Sequence, residues 1–364
     1  MKRLVVETDK IQSNIDIIKK YSCGAKLIAV VKGNGYGLGL VPLARIVEKE
    51  ADMLAVSTVA EAAAIRNAGI ECEILVLTPT SLEDEINSIL KYNLTAAIGN
   101  EDSAIKLEKA ASEANVNISA HLLFDTGFGR DGFMPEDIDR VISLIKSLKY
   151  INITGTFSHL YASFSKNFKL VDKQYNLFTE ICNKLQSSHI DPGMRHIANS
   201  CAVFLHQDKL LDAVRVGSAL VGKLPLKETY GLQSVGYLEC TIDNIRKLPP
   251  SHNVGYGDVF KTKKETVTAL ADAGYADGLN IKRAGDAFNF KEGLRGVYRA
   301  VCAMLRREIL SCEINGKKAY ALGRVCMLGT ILDITDINCN AGDIAIFRHI
   351  SPMLVSSEIP REYR

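Results

Sequence analysis

Between about residue 27 and residue 220, short apolar runs alternate with longer segments whose apolar positions recur at helical spacing. Eight runs have the length of strands, at 27–34, 53–58, 73–79, 94–100, 118–127, 153–161, 195–200 and 213–220. They are continuously apolar, which is typical of parallel strands covered on both faces. Eight such strands with helices between them predict a (β/α)8 barrel of the TIM type, with an open doubly wound sheet as the alternative.

Helices are predicted between these strands, and several carry boundary signals. The helical segments are 40–51, 59–69, 81–93, 101–115, 136–149 and 172–188. Ser81 with Asp84, and Asn100 before two acidic residues, are typical of helix N-termini, whereas Gly69 is typical of a C-terminus.

The pattern changes after about residue 230, where helical periodicity fades. Short β-type runs follow at 235–242, 266–273, 320–327 and 331–335, separated by Gly, Asn, Asp and the pair Pro249–Pro250. We therefore predict a barrel domain over residues 10–231 and a mostly β domain over residues 232–364. An N-terminal strand within residues 1–9 is expected to pack with the β domain.

Composition and charge exclude several classes of protein. Lys and Arg number 44 against 42 Asp and Glu, a net charge of +2, so the overall charge gives no reason to expect nucleic acid or a membrane as partner. The apolar runs are far shorter than the about 20 residues of a bilayer span, and the segment MKRLVVETDK lacks the features of a signal peptide. Nine dispersed cysteines without C-x-x-C spacing indicate neither a disulfide framework nor a metal site. We expect a cytoplasmic protein.

Polar side chains follow several predicted strands, at the end where a barrel of this kind has its active site. Lys32 lies at the end of the first predicted strand and is followed by a glycine-rich turn that ends at Gly39. A lysine there can form a Schiff base with a carbonyl compound, and a solvated lysine before a flexible turn is an equally good interpretation. The turn matches neither a Walker loop nor a dinucleotide-binding motif.

Four further strand ends contribute polar residues: Arg130 in DTGFGR, His159 after Ser158, Ser200 in HIANS, and Arg215 with Gly217 and Ser218. A single histidine or arginine in such a position is more often a structural hydrogen-bond partner than a catalyst. Convergence of all four ends with Lys32 on one barrel mouth favours an active site. Ser200 together with the backbone amides of Gly217 and Ser218 could hold a phosphate.

These residues carry a resemblance to the alanine racemases. The stretch AVVKGNGYGLG at 29–39 resembles the cofactor-lysine motif of that family, although the family usually has alanine where Gly33 and Gly35 stand. The likeness continues in order through DTGFGR (125–130), SHLYAS (158–163), HIANS (196–200), VRVGSAL (214–220), VGYGDVF (254–260), GYADG (274–278) and GRVCM (323–327). The resemblance implies an isomerase that uses pyridoxal phosphate (PLP), is built from a barrel and a β domain, and has alanine as its default substrate.

The resemblance also implies a role for each matching residue. Lys32 would bind the cofactor covalently and act as one of two bases, and Tyr256 of a partner subunit would be the second. Two bases suit racemisation, because the Cα proton leaves one face and another returns to the opposite face. A homodimer with shared active sites follows from this arrangement.

The remaining matches concern the cofactor and the substrate. Arg215 would hydrogen-bond the pyridine nitrogen, and since arginine only donates, that nitrogen would stay largely unprotonated. Tyr36, Ser200, Gly217 and Ser218 would hold the phosphate. Arg130 and the backbone of Met327 would contact the substrate carboxylate, and His159 would support Tyr256 and Arg215.

Three departures from the family concern the substrate. Leu123 stands where many relatives have a lysine that supports the arginine matching Arg130. Leu328 stands where the family commonly has aspartate, and the segment after residue 350 is shorter than in relatives. We therefore expect a wider and more apolar pocket, and racemisation of serine or a larger amino acid is an alternative.

Two other functions remain open. A decarboxylase on the same scaffold would use a cysteine-centred motif, but Cys326 lies in the racemase-like GRVCM. A non-catalytic PLP-binding protein is disfavoured by Tyr256 and by the second domain. Outside the motifs, His121 and His206 are expected to be structural histidines without convergent partners.

Overall fold

The computed structural model describes residues 1–165, 167–281, 290–306 and 309–364, and it divides into two compact units. One unit is Thr8–Val235. The other combines Met1–Glu7 with Gly236–Arg364, because strand β1 (Lys2–Val6) pairs with strands from the C-terminal part of the chain.

The unit Thr8–Val235 is a barrel of parallel strands. These strands are β2 (Lys26–Val30), β3 (Met53–Val56), β4 (Ile74–Val76), β5 (Thr95–Ile98), β6 (Ile118–Leu123), β7 (Ile151–Phe157), β8 (Met194–His196) and β9 (Ala213–Val216). Each pairs with the next from β2 to β8, and β9 pairs with β2. Backbone hydrogen bonds from Arg215 to Ala198 and from Asp212 to Arg195 nearly close the ring between β8 and β9. The predicted (β/α)8 barrel is confirmed, and the doubly wound alternative is wrong.

Helical segments alternate with these strands: α1 (Thr8–Tyr21), α2 (Lys32–Tyr36), α3 (Leu40–Val47), α4 (Val59–Asn67), α5 (Glu83–Lys91), α6 (Glu101–Ala114), α7 (Ile138–Ser147), α8 (Phe168–Ser187) and α9 (Ser200–Leu205). Asn100 caps α6 as predicted, since its side chain accepts a hydrogen bond from the Ser103 amide. Helix α5 begins after Leu82 without a side-chain cap, so the N-terminus predicted at Ser81 is wrong.

Apolar side chains fill the interior of the barrel. Ile28, Val30, Met53, Ala55 and Leu75 form one buried cluster with Ala213. A filled interior leaves no pore, so the polar residues that follow the strands collect at the C-terminal mouth.

The second unit is a mostly antiparallel sheet. It contains β1 and β10 (Tyr237–Leu248), β11 (Thr266–Ala271), β12 (Ser311–Ile314), β13 (Lys317–Ala321), β14 (Thr330–Asp333), β15 (Ile344–Phe347) and β16 (Arg361–Tyr363), in the order β11-β14-β13-β12-β15-β10-β1-β16. The predicted mostly β C-terminal domain is thereby confirmed.

Helix α10 (Phe290–Arg306) lies in the region where we expected helical periodicity to fade, and the sequence analysis did not predict it. Its apolar residues Phe290, Leu294, Val297 and Val301 recur at spacings of four, three and four, which place them on one helical face. None of the described helices combines the length and the hydropathy needed to cross a membrane.

Candidate active site

A cavity of about 540 Å³ opens at the C-terminal ends of the barrel strands. Its lining includes every site residue that was predicted within the barrel: Lys32, Tyr36, Arg130, His159, Ser200, Arg215, Gly217 and Ser218. Tyr256 and Met327 belong to the other unit, where they are 70% and 56% exposed. The structure thus brings the barrel residues together in one place.

Lys32 lies two residues after the end of β2 and starts a tight left-handed turn. Gly33, Asn34 and Gly35 have φ angles of 63°, 54° and 62°. Left-handed backbone is unfavourable for most residues with a Cβ atom but is tolerated by glycine and asparagine, which suits residues 33–35; the left-handed backbone continues to Tyr36, whose φ angle is 54°.

Glu61, which was not predicted from the sequence, holds this turn in place. Its carboxylate accepts a hydrogen bond from the Gly33 amide at 2.7 Å, and from the amides of Ser57 and Thr58. Glu61 is also the reciprocal partner of Thr58 in the capping box of α4. The T-x-x-E spacing is visible in the sequence, but it indicates a helix start and gives no sign of the contact with the lysine turn.

The amine of Lys32 is easier to deprotonate than a solvated lysine. Burial lowers its pKa, as do the positive charges of Arg130 and Arg215, while Glu61 acts in the opposite direction. A neutral amine is the form that attacks a carbonyl carbon or accepts a proton.

Arg215 projects from β9 and is only 5% exposed. Its Nη1 donates to the His196 carbonyl (2.8 Å) and to His196 Nδ1 (2.7 Å), and its Nη2 donates to the Ser158 carbonyl and to His159 Nδ1 (3.3 Å). Its Nε–H makes no hydrogen bond to any residue that the structure describes. An arginine has five N–H donors, so one remains for a ligand in the cavity.

His196 and His121 extend this hydrogen-bonded chain behind Arg215. The Nε2 of His196 lies 2.9 Å from Nδ1 of His121. Burial and Arg215 lower the pKa of His121 to about 4, and burial lowers the pKa of His196 as well, so both are neutral at pH 7. Gly155 makes room for this pair, since a Cβ atom there would lie 2.6 Å from the His121 ring. The expectation that His121 lacks a convergent partner is wrong.

His159 is also neutral. Burial, together with the charges of Arg215, Arg130 and Lys32, lowers its pKa to about 3. Its Nδ1 accepts from Arg215, which leaves the ring proton on Nε2, and the ring packs edge-on against Phe128 at a centroid distance of 5.0 Å. His159 can therefore offer a hydrogen-bond donor but carries no charge.

Ser200 and the segment after β9 form a cradle suited to an anion. Ser200 Oγ accepts hydrogen bonds from the amides of Gly217 (3.2 Å) and Ala219 (3.4 Å). A Cβ atom on Gly217 would lie 2.1 Å from the Tyr36 hydroxyl, so this close approach requires glycine. Burial raises the pKa of Tyr36 to about 12, which keeps its hydroxyl available as a donor. Amides and hydroxyls converging in this way suit a phosphate group.

The loop after β6 positions Arg130. The Asp125 carboxylate accepts hydrogen bonds from the amides of Gly127, Phe128 and Gly129 at 2.7–2.8 Å, which fixes the loop. The Arg130 guanidinium lies 4.6 Å from the centre of the Phe128 ring, and its Nε is 3.3 Å from the carboxylate of the next residue.

Leu123 lines the cavity but packs within an apolar cluster. Ala97 and Phe157 are its buried neighbours, and Leu123 itself is 4% exposed. An apolar side chain offers no ion pair to Arg130, whose contacts are with Phe128 and Asp131 instead.

Gln174 of α8 connects two strand ends and was also missed from the sequence. Its Nε2 donates to Thr126 Oγ1 and to the His159 carbonyl, both at 3.1 Å, and its Oε1 accepts from the Tyr161 amide. A single glutamine in an amphipathic helix resembles any surface polar residue. Its only signal is its place on the buried face, which also includes Val171.

In the other unit, three loops pack closely around the remaining predicted residues. The Ala276 amide donates to the Met327 carbonyl at 3.0 Å. A Cβ atom on Gly323 would lie 2.3 Å from the Val254 carbonyl, so the loop with Tyr256 approaches the loop with Met327. Both side chains stay exposed on this surface.

Two protein-family models match the chain. The alanine racemase N-terminal domain matches residues 6–225, and the alanine racemase C-terminal domain matches residues 235–352. Together they cover most of both units.

Individual proteins give the same result. The chain is 33% identical over 340 residues to alanine racemase 1 of Clostridium acetobutylicum, covering 91% of this chain and 81% of that protein. It is 30% identical over 347 residues to the alanine racemase of Methanococcus maripaludis, covering 93% and 86%. The solved structure of the alanine racemase of Clostridium difficile 630 superposes with a TM-score of 0.86 at 25% identity, covering 100% of this chain and 95% of that one. The chain belongs to the alanine racemase family.

Proposed function

We propose that this protein is a PLP-dependent racemase that interconverts L- and D-alanine in the cytoplasm. One observation carries the proposal: Lys32 with a lowered pKa, Arg215 with one unused donor, and an anion cradle all line one cavity. Family membership supports amino-acid racemisation, and the relatives' names support alanine as the substrate.

The donors of the cavity fit PLP at three points. The amine of Lys32 suits the aldehyde, and the free Nε–H of Arg215 suits an unprotonated pyridine nitrogen. Ser200, Gly217, Ser218 and Tyr36 suit the phosphate. When bound, the cofactor withdraws electrons from the amino acid and acidifies its Cα proton.

Lys32 and Tyr256 then divide the proton transfer between two faces of the substrate. Nζ of Lys32 removes or returns the Cα proton on one face, aided by the positive charges that lower its pKa. The hydroxyl of Tyr256, from the partner subunit of a homodimer, does the same on the other face. The barrel (10–231) therefore binds the cofactor, and the β domain (232–364) supplies the second base.

The remaining residues orient the substrate and the second base. Arg130 and the backbone of Met327 bind the substrate carboxylate. His159 donates through Nε2 toward Tyr256 while its Nδ1 accepts from Arg215. Because an arginine side chain only donates, Arg215 would leave the pyridine nitrogen of bound PLP unprotonated, and the weaker electron withdrawal would disfavour transamination.

Racemisation of serine or a larger amino acid is a second candidate. The observation that favours it is Leu123, which presents an apolar side chain to the cavity and no polar group that could support Arg130. We expect the cavity at Leu123 to accommodate a substrate side chain that is larger than the methyl group of alanine.

The test uses the purified protein with PLP in deuterated water and a panel of L-amino acids. Proton NMR follows the loss of each Cα–H signal, and chiral chromatography identifies the product. We expect exchange with accumulation of D-alanine in the wild type, and none in Lys32→Ala. Normal PLP absorbance that depends on Lys32, without exchange of any amino acid, would identify a binding protein and overturn the proposal.

A further inference from the structure

Helix α10 presents a broad apolar stripe to solvent. Phe290, Leu294, Val297, Val301 and Met304 lie on one face, and these side chains are 44–81% exposed. Tyr298 and Leu305 widen the same stripe. Soluble proteins rarely expose a contiguous apolar surface of this extent unless it binds something.

The other face of the helix is basic. Arg295 and Arg299 are exposed and lie about opposite the apolar stripe, as the helical period requires. The segment 290–306 contains four basic residues and one acidic residue, a net charge of +3, although the whole chain carries only +2. The near-neutral charge of the whole chain therefore does not indicate the local positive charge of α10.

The helix gains little stability from its own sequence. Gly293 and Gly296 lower its propensity, and Arg295 and Arg299 place like charges four residues apart. Its described side chains are exposed on every face, with Cys302 alone half-buried. Short helices of this kind are marginal in water and are stabilised when their apolar face is covered.

We propose that α10 binds the surface of an anionic phospholipid bilayer. A helix with apolar residues on one face and basic residues on the other lies in the bilayer interface, with its apolar side among the acyl chains and its charges near the phosphates. A second copy of the same helix would bring the same net charge of +3, with four basic residues against one acidic residue. The charge distribution therefore favours lipid over a second α10.

The experiment is co-sedimentation of the PLP-loaded full-length protein with vesicles of phosphatidylcholine alone or mixed with phosphatidylglycerol. Each basic residue near an anionic surface contributes roughly fivefold, so a net charge of +3 predicts binding on the order of a hundredfold tighter to the mixed vesicles. We expect this preference to weaken as salt concentration rises.

Matched variants identify the helix as the binding surface. We expect Val301→Asp and Arg299→Glu each to weaken vesicle binding about tenfold or more. The controls are Ile105→Asp, which alters an exposed apolar residue of α6, and Lys146→Glu, which reverses an exposed charge of α7; both should bind vesicles as the wild type does.

Light scattering of the same samples tests whether a second copy of the chain, rather than lipid, covers the apolar stripe. Equal or absent binding to both vesicle types, combined with dissociation of the oligomer by Val301→Asp, would show that a second copy covers the stripe and would overturn the proposal. Loss of anionic vesicle binding with an unchanged oligomer supports it. Neither readout depends on racemase activity, so this proposal and the proposed function can fail separately.

Discussion

His121 and His196 share a 2.9 Å hydrogen bond whose direction is set by Arg215. A guanidinium group only donates, so Nδ1 of His196 must accept from Arg215 and its proton must lie on Nε2. That proton is donated to Nδ1 of His121. Two neutral histidines thus fix the orientation of the arginine that faces the cavity.

Replacing His121 tests this chain of hydrogen bonds. His121→Leu leaves the buried Nε2–H of His196 without an acceptor, which we expect to reduce the free energy of unfolding by about 1–3 kcal/mol. His121→Gln offers an acceptor again and should recover part of the loss. Urea denaturation measures both variants, and equal stabilities for Leu and Gln would contradict a stabilising hydrogen bond between positions 121 and 196.

Arg215→Gln should impair catalysis while leaving the cofactor bound. The variant loses the positive charge of the residue that we propose faces the pyridine nitrogen, and we expect kcat to fall about 10²-fold or more. Covalent attachment through Lys32 should preserve the absorbance of bound PLP. Arg195→Gln is the control, because Arg195 lies on the neighbouring strand and pairs with Asp212; a similar fall in kcat there would assign the effect to barrel stability.

The pH dependence of PLP capture should respond to the charges around Lys32. Capture requires the neutral amine, so its rate should rise with pH through a pKa below the ordinary lysine value of 10.5. Removing the positive charge in Arg130→Gln should raise that pKa and move the rising limb to higher pH. Removing the opposing negative charge in Glu61→Gln should move it to lower pH, and stopped-flow absorbance of the apoprotein with PLP records both shifts. A common direction for the two variants would refute the electrostatic explanation.

The site residues that could be predicted from the sequence lie at or near the ends of predicted strands. Lys32, His159 and Arg215 each lie in an apolar strand or within two residues of its end, and parallel strands bring such ends to one mouth. Strand periodicity and local motifs therefore sufficed to place them in one cavity.

The residues that were missed depend on contacts between distant parts of the chain. Glu61 reaches a turn 28 positions away, Gln174 reaches Thr126 across 48 positions, and His121 reaches His196 across 75. No local spacing encodes these partners. Helix α10 was missed for another reason, since its helical periodicity occurs within a segment otherwise made of short β-type runs.

Mixed dimers, in which each subunit supplies the catalytic residue that the other lacks, give the most direct test of the proposed mechanism. Lys32→Ala and Tyr256→Phe should each abolish most racemisation as homodimers, whereas Tyr320→Phe, at an exposed tyrosine of β13, should stay active. Mixed dimers of the two inactive variants contain one site that has both Lys32 and the partner's Tyr256. We therefore predict that unfolding, mixing and refolding the two variants together restores conversion of L-alanine to D-alanine. Mixed dimers that remain inactive, when refolded wild type is active, would contradict a two-base site shared between subunits.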